Sequence, residues 1–393
     1  MKHLLLATAT TALLAGAAGA EEVKLALHLG FTGPLESMAP DIAAGAEAAA
    51  KEVSDSGKFL DGSTVVTSRS DTTCTDAAAS VAAAERQVAE GAKAMVGGQC
   101  SGETIATLER VGIPNGVLMI SPSATSPALS TIDDQGLFFR TSPSDARQGE
   151  VMAELAKAQG IESVAITYTN NDYGKGLADS FKAAFEKLGG TVTTSAAHDD
   201  GKADYSAEVA ALAAAGGDAL AVVGYVDQGG SGVTRGALDT GAFEKFIFPD
   251  GMINDSLVER FGSEIDGMIG INPAAEGDGR TKFEELAAAA GFDPSAAYAA
   301  EAYDAAALIL LSMQAAKSSD PAAAKEKVME VANAPGEPIL PGELAKGLEL
   351  LAAGTDIDYI GASSVELVEP GESAGSYRET TVKDGKLEVV GFH

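Results

Sequence analysis

Short apolar runs alternate along this chain with longer stretches whose apolar positions recur at helical spacing. The runs read as strands and the periodic stretches as amphipathic helices. A first series predicts strands at 23–29, 65–69, 94–96, 117–120 and 137–141, with helices over 38–53, 76–90 and 145–159. Asp76 stands as the N-cap of the second helix. The stretch 97–129 organises this series. Gly97 and Gly98 close a strand, and the polar turn 99–104 opens a helix with Ile105, Leu108 and Val111 on one face. Gly112 and Pro114 are expected to end that helix. The strand at 117–120 then empties into Ser121-Pro122-Ser123-Ala124-Thr125-Ser126-Pro127.

A second series predicts strands at 163–168, 191–195, 218–223, 245–248 and 268–272, with helices over 174–188, 205–215, 233–239 and 255–261. Repeated βαβ units with right-handed crossovers build parallel sheets covered by helices on both faces, so the class is α/β. From Thr281 the pattern turns helical, over 281–290, 294–316, 321–331 and 344–353. Strands at 363–368 and 377–390 follow, the last a hairpin turning at Lys383-Asp384-Gly385.

Residues 1–20 precede all of this. One lysine, an apolar run and an Ala18-Gly19-Ala20 site describe a secretory signal peptide, with a mature chain from Glu21. No later stretch is long and apolar enough to span a bilayer, so the mature protein is expected to be soluble. The chain carries 27 Lys+Arg against 57 Asp+Glu, a net charge of −30, which argues against nucleic acid and anionic membrane surfaces as partners. A hydrophobic content of 46% with regular periodicity says that this acidic chain folds. Cys74 and Cys100 are its two cysteines, and in an exported protein they are expected to pair. A metal or catalytic thiol pair lacks a nearby histidine.

No Walker A and no G-x-G-x-x-G motif occurs, so neither a nucleotide site nor any other cofactor has support. One G-x-S-x-G does, around Ser373, but beside Pro370 and between two strands rather than at a strand-to-helix turn. It reads as a loop. His28 reads as a strand residue and His198 as part of a polar loop; no ligand cluster suggests a metal. What remains is binding chemistry at strand carboxyl ends, where open parallel sheets collect ligands. Ser101 and the Ser123/Thr125 pair are donors for a carboxylate, or else ordinary caps and turns. Tyr173 and Tyr225 end strands of the second series, to cover a ligand or simply to pack. Asp250 could hold an ammonium or form a turn before Gly251. Together they suit a two-lobed clamp for a zwitterionic amino acid, with no catalytic set.

The stretch "LMISPSATSPAL" followed by "FFRTSPSDARQG", the turn "NNDYGKGLA", the helix "AYDAAALILLSMQAA" and the hairpin "YRETTVKDGKLEVV" resemble the leucine/isoleucine/valine-binding proteins, the periplasmic receptors of branched-chain amino acid importers. The resemblance covers nearly the whole mature chain. It implies a type I periplasmic binding fold, two doubly wound parallel-sheet lobes joined by three crossings. The lobe boundaries expected are 21–142 plus 273–352 and 143–272 plus 353–393. Carried over by position, Ser101 would bond the ligand carboxylate. The Ser123 backbone and the Thr125 hydroxyl and N–H would share the zwitterion, with Ala124 between them. Tyr173 and Tyr225 would close the second lobe, Asp250 would take the α-ammonium and Tyr298 would reach the side-chain end. The family's disulfide matches Cys74 and Cys100. Asp250 stands where the family usually has a longer Glu, and Met38 where it often has an aromatic, which leaves the ligand side chain open.

The function implied is that of a monomeric receptor delivering a neutral L-amino acid to an inner-membrane ABC permease. An amide or non-amino carboxylate ligand, a ligand sensor for a membrane receptor, and a secreted enzyme are the alternatives.

Overall fold

Strands buried along their whole length, such as Ala219–Val223, belong inside a sheet covered on both faces. A computed structural model describes residues 20–393 and builds two such sheets. The expected signal peptide, apart from Ala20, lies outside the described residues.

The first lobe opens with β1 (Glu22–Leu29), α1 (Ala39–Ser56), β2 (Thr64–Asp71), α2 (Ala77–Ala89), β3 (Ala92–Gly97), α3 (Ser101–Thr107), α4 (Ile113–Asn115), β4 (Leu118–Ser121) and β5 (Phe138–Pro143). The second lobe follows with α5 (Asp145–Ala158), β6 (Ser163–Thr169), α6 (Asp172–Lys187), β7 (Thr191–His198) and α7 (Ser206–Ala215). It continues through β8 (Ala219–Val223), α8 (Gly229–Thr240), β9 (Phe246–Phe248), α9 (Asp255–Phe261) and β10 (Ile269–Pro273). The chain returns to the first lobe for α10 (Asp278–Ala290), α11 (Ala299–Ala316), α12 (Pro321–Ala324), α13 (Val328–Ala332), β11 (Glu337–Ile339) and α14 (Leu344–Ala353). There β12 (Ile357–Tyr359), β13 (Leu367–Val368) and β14 (Glu372–Ser373) precede a last passage to β15 (Tyr377–Lys383) and β16 (Lys386–Phe392) in the second lobe.

Both sheets repeat one plan. Parallel strands run β2-β1-β3-β4-β5 in the first and β7-β6-β8-β9-β10 in the second, the doubly wound order with a switch point beside its first strand. The antiparallel hairpin β15–β16 extends the second sheet beyond β10, as expected for a turn at Asp384-Gly385. The chain passes between lobes at 143–145, 273–278 and 373–377, which gives the three crossings.

The third crossing corrects the expected boundary at 352/353. Residues 353–373 stay with the first lobe, because β13 pairs with β14 and β14 with β5. The buried Asp304 of α11 fastens the same segment by accepting from the Tyr359 hydroxyl (2.7 Å), Ala362 N–H (2.8 Å) and Ser363 N–H (2.7 Å). Two more expectations shift. The helix begun at Ser101 does not stop at Gly112. It runs on through a π-helical turn at Leu108–Gly112, absorbs Pro114 at the start of α4, and ends at Gly116 with φ 64°. The long helix expected over 294–316 begins only at Ala299, because Tyr298 takes a left-handed φ of 67°.

Helix α11 is the spine of the first lobe. Every residue from Ala299 to Gln314 is buried, and its alanine-rich face lies close against α1. That approach depends on Gly45 of α1: a Cβ there would stand 2.1 Å from the Ala299 carbonyl oxygen. Gly45→Ala is expected to force the helices apart and to lower stability by about 1–3 kcal/mol, read as a depressed melting temperature; an unchanged melt would show that the contact yields freely.

Candidate functional site

The first wall of the interlobe cleft grows from two turns at the ends of β3 and β4. Ser121 stitches them together: its Oγ donates to the Gly98 carbonyl (2.6 Å) and accepts from Ala124 N–H (2.9 Å). Ser123 Oγ donates to the Gln99 carbonyl (3.0 Å), and Ser101 Oγ accepts from Ser126 N–H (3.1 Å). Ser101 heads α3, where its own O–H remains free to point at a ligand. Arg140, buried in β5, anchors the second turn from behind. Its Nη1 donates to the Ala124 and Ser126 carbonyls, both at 3.0 Å, while Nη2 reaches Ser130 Oγ (2.8 Å) and Glu372 Oε2 (2.5 Å). The Cys74–Cys100 disulfide, Cα–Cα 5.3 Å, ties the residue capping α3 to the turn after β2. Its closed loop of 26 residues corresponds to about 3.5 kcal/mol of chain entropy. Glu103 lies beside these sulfurs, which the disulfide leaves without a thiolate for any metal.

The second wall comes from three strand ends of the other sheet. Asn171 caps α6 by accepting from Gly174 N–H (2.9 Å), which sets Tyr173 in the first turn. Tyr225 follows β8; the two rings stack at 5.2 Å and 14°. Asp250 follows β9 and is 3% exposed. Its Oδ1 accepts from Tyr173 Oη (2.8 Å) and its Oδ2 from Tyr298 Oη (2.5 Å), so hydroxyls of both lobes converge on one carboxylate. Burial pushes the Asp250 pKa up, against the Tyr298, Tyr173 and Gln148 side chains and Gly251 N–H, which draw it down. Burial and the Asp250 charge push the Tyr173 and Tyr298 hydroxyls up as well, so both stay neutral donors.

The walls close on a cavity of only ≈ 10 Å³. Met38, Ser101, Ser123, Tyr173, Tyr225, Asp250 and Tyr298 all line it, as do Leu35, Gln99, Cys100 and Gly251. No lysine or arginine of the described residues does. Ala124 and Thr125 are buried just behind the wall instead of lining it. Tyr298 takes a left-handed backbone, and its hydroxyl donates to Asp250. The lobes meet on either side of the cavity: Ser37 N–H donates to Asp227 (3.1 Å) and Asn254 to Ser37 Oγ (2.8 Å), and opposite them Ser126 Oγ donates to the Asp172 carbonyl (3.1 Å). This is a shut clamp. A larger open groove of ≈ 990 Å³ lies between α7 and α8 on the second lobe and gathers none of the expected residues.

Elsewhere the chemistry is structural. His28 sits in the core between Ser70 and Ser80, each at 2.9 Å, and burial drives its pKa down to about 4. His198 is not a loop residue: it ends β7 buried, paired with Thr167 Oγ1 at 2.8 Å. Ser373 lies on the short β14 and not at a strand-to-helix turn.

A sequence profile described as periplasmic binding protein matches residues 22–342. The chain belongs to the periplasmic binding protein family. It is 31% identical over 330 residues to a Leu/Ile/Val-binding protein homologue of Brucella melitensis, covering 81% of this chain and 86% of that one. It is 30% identical over 318 residues to a leucine-, isoleucine-, valine-, threonine- and alanine-binding protein of Pseudomonas aeruginosa, covering 80% and 83%. The fold matches the crystal structure of a leucine-binding protein of Thermotoga maritima with a TM-score of 0.79, at 24% identity and coverage of 94% and 98%. Periplasmic binding proteins are solute receptors and not an enzyme class.

In this periplasmic binding protein, sequence reading missed Gln99 and Arg140. Gln99 lay within the quoted polar turn, and its side chain bonds Gly30 N–H (2.8 Å). Arg140 carried no signal, being one cation in a strand. Arg140→Lys keeps the charge but loses the fork that grips two carbonyls. It is expected to cost about 2–3 kcal/mol of stability and to weaken ligand binding, checked by melting and titration; unchanged affinity would mean the turn holds its shape unaided.

Proposed function

We propose that this chain is the solute-binding receptor of an ABC importer and that it holds a neutral aliphatic L-amino acid between its closing lobes. One observation carries the reading: Asp250 is buried on the cavity and no basic side chain of the described residues accompanies it there. A buried carboxylate without a cation is costly, so a ligand that brings an ammonium is selected over one that does not. Across the cavity, the Ser101 hydroxyl at the head of α3 is suited to the ligand's carboxylate, with Ser123 lining the turn beside it. Ala124 and Thr125 would act from behind by shaping that turn. Met38 and Leu35 leave an apolar, adaptable end for an aliphatic side chain. The names of the Brucella and Pseudomonas relatives point the same way. Family membership implies a periplasmic location, which a leader at 1–20 would secure. The closed form would be what an inner-membrane permease recognises, with the receptor acting as a monomer.

Protein freed of ligand by unfolding and refolding tests this. At 100 times its Kd, a ligand should add about 2.7 kcal/mol, a clear melting shift. Leucine, isoleucine or valine is expected to give it and their deaminated acids are not. Asp250→Asn should weaken amino-acid binding about ten- to hundredfold. A shift with the carboxylic acids alone, or an Asn variant of full affinity, would overturn the role of Asp250.

A further inference from the structure

The shut ligand cavity is too small for the side chain of an amino acid. At ≈ 10 Å³ it has room for about one water molecule. A second cavity, of ≈ 290 Å³, lies beside it between the same two lobes, and its size approaches that of a small-molecule pocket. Met38 lines both, and of the adjacent Ala297 and Tyr298 the first lines the larger cavity and the second the smaller. Methionine is unbranched, with three rotatable bonds, so a change of its rotamer joins the two spaces. The turn that carries Met38 is fastened across the lobes by the Asn254 side chain, which donates to Ser37 Oγ (2.8 Å).

What the second cavity lacks is a hydrogen-bond acceptor. Arg378 and Thr380 of β15 line it, two residues apart and so on one face of the strand. Thr380 is 3% exposed. Neither its hydroxyl nor the buried Nε–H of Arg378 has a hydrogen-bond partner among the described residues. Negative charge is already plentiful there. Burial, and then the Arg280 charge, push the Arg378 pKa down, while Glu301 and Asp293 push it back. Asp41, Asp255, Asp293 and Glu388 line the cavity with Arg378, four carboxylates to one cation. Asp255 and Glu388 are exposed, whereas Asp41 accepts from Asp293 N–H (3.4 Å) and Asp293 from Ser295 N–H (2.8 Å). A further carboxylate would be repelled by these groups, and an ammonium would meet the guanidinium. An uncharged carbonyl satisfies the buried donors without either cost.

We propose, resting on the amino-acid function above, that this second cavity receives the far end of a longer ligand side chain when Met38 swings aside. It suits a side chain that ends in an uncharged carbonyl, a carboxamide or a ureide. The carbonyl oxygen accepts from the Arg378 guanidinium and the Thr380 hydroxyl, and the terminal N–H groups turn toward the carboxylates of the wall. The ligand range therefore extends from aliphatic amino acids to neutral ones with a long, polar-ended side chain.

Calorimetric titration of the full mature chain compares L-citrulline, whose side chain ends in a ureide, with L-leucine, L-glutamate and L-lysine. Citrulline is expected to bind within about tenfold of leucine, and glutamate and lysine at least about tenfold more weakly than citrulline. Arg378→Met should lower the affinity for citrulline relative to leucine by about tenfold or more. Taken within one variant, that ratio does not depend on how much of the protein folds. Binding of leucine without citrulline overturns the inference by itself, even if the variant does not fold. An Arg378→Met protein that keeps the wild-type ratio overturns it too, as does tighter binding of glutamate or lysine than of citrulline. Absence of binding heat with every amino acid would instead remove the functional reading, and this inference with it.

Discussion

The molecule turns on a carboxylate that has hydroxyl donors from both lobes and, among the described residues, no cation of its own. Asp250 belongs to the second lobe, Tyr173 approaches it from the same side, and Tyr298 reaches it across the cleft from the first. Hydroxyls lessen the desolvation of a buried charge without cancelling it. On the function proposed above, shutting the lobes leaves an electrostatic deficit which the ligand's ammonium would fill. That deficit links closure to ligand chemistry: a ligand that touches both lobes and brings an ammonium stabilises the shut form more than the open one.

The rest of the cleft can be understood as the means of holding this arrangement in place. The first wall consists of two turns that would be soft by themselves. Ser121, Ser123 and Ser101 bond them to one another, the disulfide fixes the head of α3, and Arg140 fastens the second turn to β5 and β14. Because β14 reaches β5 only after the chain has returned from the second lobe, the Arg140–Glu372 pair joins distant parts of the sequence under the ligand turn. Asp145 sits at the first crossing with its N–H on that same turn. The first crossing and this turn are therefore contiguous.

How much of this could be read beforehand depended on the kind of signal. The alternation of strand and helix, and the turns that end the strands, carried the two sheets and placed Ser101, Ser123, Tyr173, Tyr225 and Asp250 on one cavity, because a parallel sheet delivers its strand ends to a single edge. Pairing partners were not legible: 363–368 looked like strand, but nothing local says that β13 and β14 join β5 in preference to β10. A π-helical turn hid the continuation through Gly112 and Pro114, since both residues ordinarily punctuate helices. A left-handed residue, Tyr298, breaks what reads as unbroken helix, and no local signal marks it. Arg140 escapes notice because burial, which gives it its importance, is a property of the folded chain.

The most direct measurement is a crystal structure grown with L-leucine. Its ammonium should lie about 2.7–3.2 Å from the Asp250 carboxylate, with its carboxylate turned toward Ser101 and Ser123. A leucine reversed end for end, or seated in the open groove between α7 and α8, would mean that the buried carboxylate does not set how the ligand is held.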